Sequence, residues 1–407
     1  MPRPFHFSRI EQEELSFTAL KINFVSTMSG APWGGSEELW SQVALQLCDE
    51  GHEVDACVRF WPQFSPKINA LAERGIGLHV RRESLPARVR QWIQKQVGRA
   101  PRDFAWLLRQ KPDLTIISQG GIWDGLKWMK FCRDEALPFV SIVQCNNEQW
   151  WPTDDLADEM SAVYRAAIKV FFVSRGNLLL LERQLAESLS NAGVVWNPFN
   201  VPVHDPPSWP SDNRVWKLAC VARLEPLAKG QDLLFQVFSQ PKWRGRLIEV
   251  NVFGTGPCER SLKRLAGRLQ LKNVHLCGHV ANVPKIWADN HLLVLPSRYE
   301  GLPLALVEAM WCRRPAVVTD VGGNAEVCSD GETGFLAVAP TVGLLDEALE
   351  RAWAQRNNWQ AMGKVARARA EKLVPKAPVE EFCRQLMISL EKHRTALARD
   401  QVELLTQ

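Results

Sequence analysis

The chain has 407 residues, 46% of them apolar and 23% charged, with a formal net charge of +4. That length asks for two domains of roughly 180 residues, and the composition is that of folded globular protein rather than extended disorder. The small positive charge is spread along the chain with no RNA or DNA motif beside it, which does not suggest a nucleic-acid binder and leaves room for peripheral contact with an anionic membrane.

From the N-terminus, the first twenty residues are polar and lack the apolar core of a signal peptide. Short apolar runs then alternate with helical patterns, the signature of βαβ units and parallel sheets. Strands are predicted over 22–26, 54–58, 114–118, 139–143, 170–174 and 194–196. Straight after the first of these comes Ser29-Gly30-Ala31-Pro32-Trp33-Gly34-Gly35-Ser36-Glu37, which opens a helix running to Leu47. Adjacent glycines at 34 and 35 let backbone amides approach a phosphate or sugar closely. The G-x-G-x-x-G dinucleotide fingerprint is absent. The chain carries 17 tryptophans against two tyrosines. Trp33, Trp123, Trp150 and Trp151 stand next to turns where an aromatic face could stack on a sugar, although most tryptophans are packing residues.

The stretch 197–210 holds too many prolines for regular structure and marks the domain boundary. Beyond it, strands are predicted over 218–221, 248–253, 274–276, 292–295, 316–319 and 334–336, and the chain after about Pro340 reads as helical. The fold class is therefore α/β. Residues 1–200 form an N-terminal Rossmann-like domain, 201–375 a second such domain, and 376–407 a helix returning to the first. The ten cysteines contain no C-x-x-C pair, so reduced thiols in a cytoplasmic protein, at most peripheral to the inner face of the membrane, are expected. The histidines do not cluster at ligand spacing, and no metal or other cofactor is expected. No apolar run reaches the ~18 residues of a membrane span.

The most informative stretch is Pro296-Ser297-Arg298-Tyr299-Glu300-Gly301-Leu302-Pro303-Leu304-Ala305-Leu306-Val307-Glu308. It follows a buried strand, breaks at Gly301 and Pro303, and continues as a helix in whose first turn Pro303 is tolerated. Glu300 then stands in the loop at the strand's carboxyl end and Glu308 about one turn into the helix. Between them the amides of Gly301, Leu302 and Leu304 point out of a helix N-terminus, a ready site for an anion. One carboxylate by the reacting group, a row of amides for phosphate and a second carboxylate for hydroxyls suit a sugar nucleotide.

Glu300 and Glu308 resemble the E-x7-E element of retaining GT-B glycosyltransferases, family 4 in particular. The glycine turn at Thr319-Asp320-Val321-Gly322-Gly323-Asn324-Ala325-Glu326 and the loop Ser329-Asp330-Gly331-Glu332-Thr333-Gly334 are similar to that family as well. The resemblance implies two Rossmann-like, doubly wound parallel-sheet domains facing across a cleft. The first would serve the acceptor and the second the nucleotide-sugar donor.

The family carries an arginine and a lysine in the loop matched here by Arg223 and Lys229, where they would stabilise the charge gained by a departing diphosphate without a metal. With Glu300, which would hold the donor sugar, these form the implied catalytic set. Glu308 would bind the ribose. Gly254 and Gly256 resemble the family's second glycine turn near the nucleotide, and His279 would lie close to the base in a loop. The histidine that the family often has after the strand 139–143 is replaced by Gln144-Cys145-Asn146-Asn147-Glu148. There Asn146, Asn147 and Glu148 could bind acceptor or sugar hydroxyls, with Trp150 and Trp151 lining an acceptor channel and Trp33 also offered to acceptor or sugar. The implied partners are a nucleotide-diphosphate sugar and a saccharide, lipid-linked or small-molecule acceptor. The rivals are an inactive GT-B scaffold and another GT-B enzyme class, a phosphorylase or a sugar-nucleotide epimerase.

Overall fold

The computed structural model describes residues 19–82, 102–211 and 214–406, with backbone alone for 102 and 400–406. All but the last two of the twenty N-terminal residues read above fall outside these. Seven strands make the first sheet: β1 (Lys21–Ser26), β2 (Glu53–Arg59), β3 (Gly77–Arg81), β4 (Leu114–Gln119), β5 (Phe139–Val143), β6 (Lys169–Phe172) and β7 (Ala192–Val194). They lie in the order β3-β2-β1-β4-β5-β6-β7. Six more make the second: β8 (Trp216–Val221), β9 (Ile248–Phe253), β10 (Val274–Gly278), β11 (Leu292–Leu295), β12 (Ala316–Thr319) and β13 (Gly334–Ala337). Their order is β10-β9-β8-β11-β12-β13. Every pairing is parallel. The central strands β4, β5, β11 and β12 are buried throughout, as sheets covered by helices on both faces require.

Three sequence expectations need correction. β3 escaped notice because it is a five-residue edge strand with His79 and Arg81 in it and no clear apolar alternation. β6 ends at Phe172, because Ser174 instead caps the helix Arg175–Leu185 by accepting the Asn177 amide at 3.3 Å. β7 lies two residues earlier than predicted, with Val195 already a buried loop residue.

The helix Pro378–Thr406 packs on the first domain, inserting Phe382, Cys383, Leu386 and Leu390 into the core that also holds Trp40 and Phe24. Trp40, Trp128, Trp243, Trp287, Trp311 and Trp359 are among the largest fully buried side chains, so tryptophan serves packing first. No helix among the described residues is long and apolar enough to cross a membrane.

The linker is tied to the second domain by Arg314, whose guanidinium is buried without a carboxylate. It donates to the carbonyls of Asn290 at 3.0 Å, Pro207 at 3.3 Å and Ser208 at 2.6 Å, and also to those of Cys312 and Trp287. Burial lowers its pKa to about 10, so it stays charged at neutral pH. Replacing it leaves several carbonyls without a donor at once, each loss being worth roughly 1–3 kcal/mol. Arg314→Met is expected to destabilise the second domain by at least about 3 kcal/mol, read as an earlier urea transition. An unchanged midpoint would show that water replaces the guanidinium.

Candidate functional site

In open parallel sheets ligands sit beyond the carboxyl ends of the strands where the order reverses. Those strands are β1 and β4 in the first sheet and β8 and β11 in the second. β8 leads into Arg223 and Lys229, and β11 into Glu300. Facing them, β1 leads into the glycine turn before the helix Gly35–Asp49 and β4 into the loop containing Asp124.

Lys229 ends the short helix Pro226–Lys229, which stops at Gly230 with φ +63°. A Cβ on Gly230 would lie 1.9 Å from the Pro296 carbonyl oxygen, so glycine lets the loops after β8 and β11 touch. That contact sets Lys229 Nζ 2.7 Å from Glu300 Oε1, which also accepts from Ser297 Oγ at 2.8 Å. Glu300 is 5% exposed, and its Oε2 has no donor among the described residues. Arg298 forks onto Asp232 at 2.7 and 2.8 Å and fixes the loop from behind. Arg223 pairs with Glu225, and its Nη1 lies 3.3 Å from where a Cβ on Gly30 would stand. Its guanidinium therefore reaches across the cleft to the first domain.

Pro303 is the N-cap of the helix Leu304–Trp311, one position before the first turn in which it was expected. Leu302 is buried. Leu304 meets the first domain, its Cδ1 standing 3.2 Å from a Cβ placed on Gly35. Glu308 is buried, and its Oε1 accepts from the Asn200 amide at 3.0 Å and from Asn200 Nδ2 at 3.3 Å. Burial raises its pKa. The Glu308 side chain therefore holds the linker through Oε1. Gly254 has φ +130°, and a Cβ there would stand 2.1 Å from the Ala222 carbonyl oxygen. One on Gly256 would lie 2.5 Å from that of Leu224. These glycines thus serve the backbone of the Arg223 loop directly. His279 is exposed just beyond Gly278, whose carbonyl accepts from the Gly254 amide.

On the first domain several expectations change. Trp33 donates to Glu38 Oε1 at 2.7 Å and lies under Lys67, so it braces the turn before Gly34 rather than offering a free face. Asn146 donates to Gln184 at 2.8 Å and Asn147 accepts from the Gln149 amide at 2.9 Å. Both are buried and hold their own loop. Glu148 remains exposed. Cys145 lies in the segment that follows β5 without a histidine, within electrostatic reach of Lys229, Glu300, Asp124 and Arg223. Burial pushes its thiol up to about 12, so it is neutral. Asp124 opens to solvent but is crowded by the cleft walls, which raise its pKa against the opposing Gly121 amide. Tyr299 packs on Trp150 at 5.1 Å between ring centres, and Trp150 on Trp123 at 5.8 Å. Nothing in the sequence pattern signalled Ser297, Asp124, Cys145 or Tyr299, because their roles depend on which loops meet.

The domains are joined beside Glu300. Glu326 accepts from the amides of Gly176 at 2.7 Å and Arg175 at 3.1 Å, capping a first-domain helix from the second domain. Asn177 Nδ2 donates to the Glu300 carbonyl at 3.2 Å. A Cβ on Gly301 would stand 1.9 Å from the Gln144 carbonyl oxygen.

Residues 216–355 match the family of glycosyl transferases group 1. The second domain is similar to the group 1 glycosyl transferases. The chain is 32% identical over 126 residues to the alpha-D-kanosaminyltransferase of Streptomyces kanamyceticus, covering 30% of this chain and 33% of that protein. It is 30% identical over 164 residues to the D-inositol 3-phosphate glycosyltransferase of Gordonia bronchialis, covering 37% and 35%. These matches thus span about a third of each relative. The whole architecture is similar to HepE of Anabaena, solved in complex with UDP, with a TM-score of 0.70 and 18% identity over 90% of this chain and all of that one. The fold is GT-B.

Glu37 sits in the first turn of the helix that opens the glycine turn, accepting from Ser26 Oγ at 2.7 Å. Burial pushes its pKa from the ordinary 4.5 up to about 7. The folded protein therefore holds this proton over a pH range in which the unfolded chain has lost it. Stability is full below about pH 4.5 and declines as pH rises through about 7. Glu37→Gln is expected to raise the melting temperature at pH 8 and leave it nearly unchanged at pH 4.5. Equal shifts at both values would show that the carboxylate is solvated.

Proposed function

We propose that the protein is a retaining glycosyltransferase, moving a sugar from a nucleotide-diphosphate donor to an acceptor hydroxyl in glycan, envelope polysaccharide or glycolipid synthesis. The observation that carries this is the convergence of Arg223, Lys229 and Glu300 at the switch point of the second domain, opposite the glycine turn of the first. The sugar–phosphate bond breaks with its electron pair on the diphosphate. Arg223 and Lys229 stabilise that charge without a metal, and the helix Leu304–Trp311 offers amides to the same phosphates. Glu300 holds the donor sugar through Oε2, and Glu308 the ribose. The acceptor attacks the same face, passing its proton to the leaving phosphate, which supports retention. The free thiols support a cytoplasmic setting.

Charge-assisted contacts contribute about 1.5–3 kcal/mol each. Arg223→Ala and Lys229→Ala should each weaken nucleoside diphosphate binding about ten- to hundredfold, while wild-type transfer continues in excess chelator. Unchanged dissociation constants in both variants would remove the donor-site assignment. Magnesium-reversible loss of transfer in chelator would give a metal the role assigned to the cations.

Glu300→Gln separates the sugar from the phosphates. It keeps the acceptor for Ser297 but releases Lys229, so diphosphate affinity should hold or tighten. Transfer should fall at least about a hundredfold, ~2.7 kcal/mol of transition-state stabilisation. Normal turnover in the folded variant would sink the mechanism.

A further inference from the structure

Behind Tyr299 the two domains form an open pocket of about 150 Å³ whose walls include Asn146, Glu148, Asn177, Arg183, Tyr299 and Asp320. Arg223, Lys229 and Glu308 do not line it, so it is separate from the proposed diphosphate cradle. It is nonetheless next to the chemistry. Tyr299 precedes Glu300, and Asn177 donates to the Glu300 carbonyl.

Three charged groups around the pocket are unspent. Glu148, Arg183 and Asp320 are exposed, and none forms an ion pair or side-chain hydrogen bond with another described residue. Two carboxylates offer only acceptors and one guanidinium only donors. Sugar hydroxyls both donate and accept, so a polyol can use all three. The apolar parts of the wall are Leu180, Val321 and the Tyr299 ring, which suit the C–H faces of a sugar. The two carboxylates outnumber the guanidinium, so the local charge opposes a phosphorylated or carboxylated ligand.

We propose that this pocket receives the terminal ring of a neutral saccharide acceptor. The proposal rests on the glycosyltransfer reading above. The acceptor oxygen forms the new bond to the anomeric carbon as the bond to the diphosphate oxygen breaks. That electron pair leaves with the diphosphate, and the hydroxyl proton follows it. Glu148, Asp320 and Arg183 position the acceptor ring and take no part in the proton transfer.

The test uses the full chain and whichever of UDP-glucose, UDP-N-acetylglucosamine or GDP-mannose it hydrolyses. Neutral methyl hexosides are compared with the corresponding hexose 6-phosphates as acceptors, with products followed by mass spectrometry. Wild-type kcat/KM should favour the neutral series at least tenfold. Asp320→Asn and Glu148→Gln, both at exposed positions, should raise the acceptor KM about tenfold while kcat at saturating acceptor stays within threefold. The double variant should lose most of its bias against the phosphorylated series. A wild-type preference for phosphorylated acceptors overturns the proposal, as does an acceptor KM unchanged in both single variants. Donor hydrolysis with no transfer to any hexoside overturns it too. Failure to bind any nucleoside diphosphate would instead defeat the donor reading beneath it.

Discussion

A helix of the first domain begins on a carboxylate of the second. Glu326 caps the Arg175–Leu185 helix through two backbone amides, where the partial positive charge of a helix terminus favours an anion. This contact, with the Gly301–Gln144 approach and the Asn177–Glu300 bond, sets the spacing of the two sheets at the point where their switch-point loops meet. Arg223 can lie against Gly30, and Cys145 among the charges of Lys229 and Glu300, only at that spacing. The cleft is therefore set by contacts onto the backbone, two of them made by the side chains of Glu326 and Asn177.

Charged groups of the cleft are paired with partners inside it. Lys229 rests on Glu300, Arg223 on Glu225, and Glu308 on Asn200. Under the proposed function, a diphosphate would compete for two cations that already have partners, at a cost in affinity. The partnering also keeps the side chains in one arrangement, so less ordering remains for the ligand to impose.

Much of this architecture was legible in the chain. Buried parallel strands such as β11 and β12 are uninterrupted apolar runs, and the proline-rich linker interrupts the pattern plainly. Glu300, Lys229 and Arg223 were placed by short loops that follow those strands directly. What the sequence concealed depends on contact between distant segments. β3 is a short polar edge, Ser174 looked like the end of a strand until it capped a helix, and Asn146 and Asn147 looked available for a ligand until Gln184 and Gln149 engaged them. Asp124, Cys145 and Tyr299 come from three different loops, and no local spacing connects them.

Gly254 and Gly256 are held by the carbonyls of Ala222 and Leu224, not by anything a substrate would bring. A descendant of this chain that lost its chemistry would still need both glycines to fold its β8 loop. The same holds for Gly230 against Pro296. Glycine turns of this kind therefore trace ancestry of the fold, and they would persist in a relative that had become inert. No such backbone clash fixes the side chains of Arg223, Lys229 and Glu300, so under the glycosyltransfer proposal these would be the positions to change in such a relative.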